Sequence, residues 1–152
     1  CIRDRYTSVP EKNGYFFAVS SMTSQDMQIS IRKAEADARA DLARQMGSLT
    51  ENIVKQFQEE VGLGDDSELL QQFSSATKIR TQQTINSGRI IEQDIVNHSG
   101  VYRAYVLMSL SQEEAIEGIR DVIKANENMR TRFEATEAYK ELEEEMEVFK
   151  KQ

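Results

Sequence analysis

Cysteine, proline, histidine and basic charge are all scarce in this chain, and each shortage closes off a class of protein. One cysteine among 152 residues leaves no internal disulfide and no cysteine-based metal site. One proline and seven glycines interrupt the chain so rarely that its elements should be few and long. Lysine and arginine number 19 against 26 acidic residues, a net charge of −7. That balance argues against nucleic acid or an anionic lipid surface as a partner, since both require clustered positive charge. No apolar run approaches the ~18 residues of a membrane-spanning helix.

What the chain does have is charge and periodicity. Charged residues make up 30% and hydrophobic ones 39%, a balance suited to long helices washed by solvent. The length fits one domain with extensions. Residues 2–13 are mixed, charged and broken by Pro10, and read as an extended tether of roughly 40 Å at full stretch. Tyr15 to Ser20 are aromatic or β-branched enough to form a strand. Thr23 or Ser24 then offers a helix N-cap, with Asp26 near the positive end of the dipole.

From about residue 26 to 61, Met27, Ile31, Ala34, Ala38, Leu42, Met46, Leu49, Ile53, Phe57 and Val61 recur at spacings of four and three, one helix stripe. Alanines 34, 36, 38 and 40 thin its first half, so a sheet could lie close there. Gly62 to Asp66 ends this helix. A second helix from Ser67 to about Thr84 carries Leu69, Leu70, Phe73, Ala76 and Ile79. Two strands follow, 89–97 and 101–110, joined by a short turn in which Gly100 tolerates the left-handed region. Ser111 with Glu114 is the pattern of a capping box, opening a last helix that nothing interrupts before about Lys150. Its stripe slips register between Asn126 and Ala135, where a bend or a change of packing partner is expected. The expected architecture is α+β: a small three-stranded antiparallel sheet on a long helix, with a long C-terminal helix added. In domain terms this gives a tether at 1–13, a core at 14–111 and the last helix at 112–152.

Lengths suggest partners. A 36-residue helix spans about 54 Å, whereas strands of eight to ten residues reach about 30 Å. Apolar residues on the overhangs, Phe57, Val61, Ala138, Leu142, Met146 and Phe149, are therefore candidates for an oligomer interface. The competing reading has two antiparallel helices cover each other within one chain. A three-stranded sheet also leaves two edges that invite pairing.

The lone cysteine is Cys1. Bacterial lipoproteins begin on such a residue after processing, with acyl chains on its thiol and amine, and more than one chain gives stable anchoring. The bland alternative is a boundary that falls on a cysteine by chance. The run Tyr15-Phe16-Phe17-Ala18-Val19-Ser20-Ser21, then Ser24-Gln25-Asp26-Met27 and the alanine-rich stretch Lys33 to Ala43, resembles the LPP-twenty family of bacterial lipoproteins. The hairpin from Arg89 to Gln93 and Val101 to Met108 fits the same pattern, so the resemblance covers residues 14–115. It implies a dodecin-like β-α-β-β body on the outer membrane, in a family that includes flagellar lipoproteins assembling into disks or rings. Ile2 is not the aspartate that retains lipoproteins at the inner membrane, which favours the outer one.

No active site emerges. His98 sits alone in a turn and lacks the partners that nucleophilic catalysis needs. Glu141, Glu143, Glu144, Glu145 and Glu147 are splayed by a helix, whereas calcium wants oxygens converging from a turn. Asp65-Asp66 is too short for a calcium loop, and Gly62-Leu63-Gly64 lacks the lysine of a phosphate loop. Dodecins stack flavin on tryptophan, and this chain has none. Tyr15, Tyr102 and Tyr105 read as core or sheet-face residues. The expectation is a non-enzymatic structural lipoprotein with neither cofactor nor metal, whose partners are copies of itself, a membrane through its lipid, and other envelope or flagellar proteins. The alternatives are an envelope module that carries a small ligand between sheet and helices, and a cytoplasmic coiled-coil adaptor.

Overall fold

The structure is a computed structural model and describes residues 6, 12, 14–61 and 67–151. Cys1, the rest of the expected tether and the Gly62–Asp66 turn lie outside them. The elements are β1 (Tyr15–Ser24), α1 (Met27–Val61), α2 (Ser67–Asn86), β2 (Arg89–His98), β3 (Val101–Ser111), α3 (Gln112–Ala125), α4 (Glu127–Phe133) and α5 (Glu137–Lys150). Among the described residues, three antiparallel strands and five helices make an α+β fold.

The chain forms two compact units, and each draws on two separate stretches of sequence. The first holds Cys1–Gln45 and Ser87–Ser111, the second Met46–Asn86 and Gln112–Gln152. The division therefore cuts across the expected 14–111 core, and α1 supplies residues to both units.

In the first unit the strand order is β1-β3-β2, so the aromatic strand β3 lies in the middle. Its Ala104, Val106, Met108 and Leu110 are all buried and alternate along one face. That face meets α1: Ser20, opposite Val106, donates a hydrogen bond to Asp37 Oδ2 at 2.8 Å, and Gln45 donates to the Phe17 carbonyl at 2.9 Å. Ala34 and Ala38 are fully buried, as expected where a helix must approach a sheet closely. The β2–β3 hairpin closes through Ser99 and Gly100, both at positive φ (54° and 84°). Two central residues of that kind match the right-handed twist of the flanking strands. The Asn97 side chain accepts from the Gly100 N–H at 3.2 Å and holds the turn.

Asp26, rather than Thr23 or Ser24, caps α1: its Oδ1 accepts from the Ile29 N–H at 3.0 Å. The buried row then runs through Ser30, Ala34, Ala38, Leu42, Met46, Thr50, Ile53 and Phe57, while Met27 is exposed. Ser30 and Thr50 sit where the apolar pattern favours Ile31 and Leu49. Ser30 satisfies its hydroxyl on the Met27 carbonyl at 2.7 Å, and Thr50 faces the Thr81 hydroxyl at 3.4 Å.

The second unit is a helical cluster built around three rings. Phe57, Phe73 and Phe133 come from α1, α2 and α4 and lie 4.8–5.5 Å apart between centroids, tilted or edge-on. Such geometry suits the ring quadrupole. Around them Ile116, Ile119 and Ile123 of α3 are buried, each side chain contributing roughly 1.5–3 kcal/mol on removal from water. On α2 the buried residues are Leu70, Phe73, Thr77, Thr84 and Ile85, and Ile79 faces solvent.

The expected unbroken C-terminal helix is three helices. Asn126 ends the first break by accepting from the Asn128 and Met129 N–H groups at 3.0 and 3.2 Å, and Thr136 ends the second by accepting from Tyr139 at 3.2 Å. The first break stands at the start of the expected slip, and the second, at residues 134–136, runs one residue past its end at Ala135. They let Met129 and Phe133 turn into the core, where Phe133 meets Phe57 and Phe73 and both residues are buried.

Candidate assembly surface

Two edges of the sheet have no further strand beside them among the described residues, and they differ in chemistry. Edge strand β2 carries Arg89, Glu92 and Asp94 and a bulge at Ile91, where the register with β3 shifts. Charges and bulges are what natural edges use to discourage foreign strands. Edge strand β1 pairs with β3 through ten consecutive residues without a break, from Tyr15 opposite Ser111 to Ser24 opposite Tyr102. Its sequence, YFFAVSSMTS, has neither charge nor proline. On the helix-facing side, Phe16 and Met22 are only half-buried although their partners Leu110 and Ala104 are buried.

The other face of the sheet receives Tyr6. Its ring stacks on Tyr105 with centroids 5.1 Å apart, its hydroxyl donates to Asp94 Oδ2 at 2.8 Å, and it is itself buried. A residue assigned to a free tether is therefore docked. Nothing in the charged run around it distinguishes Tyr6; the signal is tertiary. Tyr15 lies 39% exposed beside Phe17, with Lys12 over its ring at 4.8 Å.

The six residues expected at an oligomer interface lie elsewhere. Phe57, Ala138, Leu142 and Met146 are buried in the second unit's own core, and Val61 and Phe149 are packed half-buried against it. The Ala138 N–H donates to Glu60 Oε1 at 2.9 Å, tying the start of α5 to the end of α1. That is a correction: the apolar overhangs are covered by the chain's own helices, the competing reading of the lengths. Cys1 lies outside the described residues.

The residues weighed for chemistry stay apart. His98 is exposed at the end of β2, and no group of three or more metal-binding side chains converges among the described residues. Glu143 is engaged with Arg120, Oε1 to Nε at 2.9 Å, although that N–H is not aimed at the oxygen and the attraction is coulombic. Burial raises the pKa of the neighbouring Tyr139, and Glu143 adds to the rise. Glu141, Glu144 and Glu145 line an open groove of about 360 Å³ with Val148 and Phe149. Crowding by protein, then the charge of Glu141, raises the pKa of Glu145 above the ordinary carboxylate value. This groove lies on α5 and not between sheet and helices, where the carrier reading places its pocket.

No helix among the described residues is long and apolar enough to cross a membrane. Comparison with family models, with curated proteins and with solved structures finds no match.

Proposed function

We propose that the protein is a non-enzymatic structural lipoprotein of the bacterial outer membrane, anchored through an acylated Cys1 and assembling with copies of itself. The observation that carries the reading is a small sheet with no further strand at either edge among the described residues, one edge being uncharged and unbroken over ten residues. Long edges of that kind are templates for another chain. The resemblance to the LPP-twenty family, on the residues given above, supplies the setting and extends the proposal to disks or rings associated with a flagellum. Strand, long helix and hairpin follow in the order of a dodecin-like body, with α2 as an insertion before the hairpin. The docking of Tyr6 shortens the expected reach. Five peptide steps separate it from Cys1, about 18 Å at full stretch, which would hold the body close to lipid headgroups.

The test has two arms. Expressed from its own gene in bacteria fed an alkyne-tagged palmitate, the protein should carry label, and Cys1→Ser should abolish it. An unlabelled wild-type chain removes the anchor from the proposal. Acyl-free protein should show concentration-dependent mass by light scattering, and a strict monomer at millimolar concentration removes self-assembly.

A further inference from the structure

We infer that β1 pairs antiparallel with β1 of a second copy, joining two three-stranded sheets into a continuous six-stranded one. This rests on the self-assembly reading but not on the lipid anchor. The occupant follows from the chemistry of the strand. Every residue from Tyr15 to Ser24 is uncharged, so two copies can lie side by side in any register without opposing like charges. On β2 the same pairing sets acidic residues against one another, as Glu92 against Asp94, and the bulge at Ile91 breaks the ladder. Half-buried Phe16 and Met22, on the flank of an otherwise buried face, are the apolar side chains that a second sheet would finish covering.

Symmetry restricts the geometry. A two-fold axis perpendicular to the sheet keeps each residue on its own face, so one residue of β1 must oppose itself. It also leaves both copies of α1 on the same side. Six strands at about 4.8 Å spacing are about 29 Å wide, enough for two helices of about 10 Å each. The contact is small. A strand-to-strand seam buries less than the roughly 800 Å² per partner of a standard interface, so pairing should be weak for free protein. Confining chains to one surface raises their effective concentration and strengthens it.

Single cysteines at positions 17 to 22, introduced one at a time into acyl-free Cys1→Ser protein, test this under mild oxidation. Directly opposed side chains stand close enough for a disulfide with little adjustment. The covalent dimer should peak at one β1 position, rise with protein concentration and fall away within two residues. Ile91→Cys and Gln93→Cys on β2 should give none. Adding Thr23→Lys, an exposed substitution on the edge, to the best cysteine variant should lower the yield at least fivefold with unchanged circular dichroism. Cross-linking at β2 instead, or a yield unmoved by Thr23→Lys, overturns the inference. So does its absence from every β1 position in a protein that light scattering shows to assemble, which leaves self-assembly standing. A monomer throughout overturns both.

Discussion

Phe57 separates a core residue from an interface residue most sharply, because sequence length argued for one and packing shows the other. Its side chain is fully buried, with the rings of Phe73 and Phe133 at 5.5 and 5.2 Å. Phe57→Ala removes both ring contacts and leaves a cavity that neighbours on α1, α2 and α4 cannot fill. Substitutions of this type cost about 3–5 kcal/mol. With a urea dependence of about 2 kcal/mol per molar, the unfolding midpoint should drop by about 2 M. The assay is urea unfolding followed by circular dichroism at two protein concentrations fifty-fold apart. A core residue gives the same drop at both. An interface residue gives a wild-type midpoint that rises with concentration and a variant whose midpoint does not. A loss below about 0.5 kcal/mol, or one confined to the higher concentration, refutes the packing argument. Val148→Ala, 55% exposed on α5, is the control and should stay within about 0.5 kcal/mol of wild type.

Two glycines in helices should respond with opposite sign. A Cβ at Gly118 would stand 2.9 Å from Arg80 Cγ, so Gly118→Ala must displace the side chain that reaches Asp121 at 3.3 Å, and should destabilise by about 1–2 kcal/mol. Gly47→Ala meets nothing within 4 Å and should stabilise by about 0.5–1 kcal/mol, both read as thermal shifts. Thr77 buries a hydroxyl without a hydrogen-bond partner, so Thr77→Val should raise stability by about 1 kcal/mol in urea unfolding, and a loss would show that the hydroxyl is satisfied. Asn126→Ala removes the cap of α4 and should cost about 1 kcal/mol, read the same way. For Glu145 the raised folded pKa means that the native state holds its proton more tightly than the unfolded chain, so stability is present at low pH and is lost as pH rises through the carboxylate range. Glu145→Gln should therefore match wild type near pH 3 and be slightly more stable at pH 7; equal stability at both removes the effect.

Much of the fold was legible because its signals are local. The alternation of Ala104, Val106, Met108 and Leu110 marks a half-buried strand, and the glycine after Ser99 marks the hairpin. Alanines 34 and 38 on α1 announce a sheet packed against the helix, and both are fully buried. The helix breaks were legible only as a slip in register, since Asn126 and Thr136 are ordinary surface residues until their side chains turn back on the next N–H groups. The choice of Thr77 over Ile79 for the interior of α2 follows from continuing the 3.6-residue period out of Leu70 and Phe73, and polarity at Thr77 masked it. The expected interface failed for a different reason. A stripe shows that a face is covered but not by what, and α5 covers its share of the second unit's core itself. Tyr6 had no local signal at all.

Helix α1 joins these findings. Its first half presents alanines and serine to a sheet, and its second half presents Ile53 and Phe57 to other helices. Small side chains let a helix lie close to a strand, and large ones fill the space between helix axes about 8–10 Å apart. The second unit thus closes its apolar surface with its own three C-terminal helices. Among the described residues the first unit is built from the start of α1 and three strands, with no further strand at either edge of the sheet. Hydrogen-bond demand at an edge differs from hydrophobic demand in the core. It is met by water in a lone chain and by a strand in an assembly. If copies pair as proposed, the uncharged border of the sheet, where no further strand lies among the described residues, is where they meet. Mutations in the helical unit should therefore act on stability, and mutations along β1 on the number of copies.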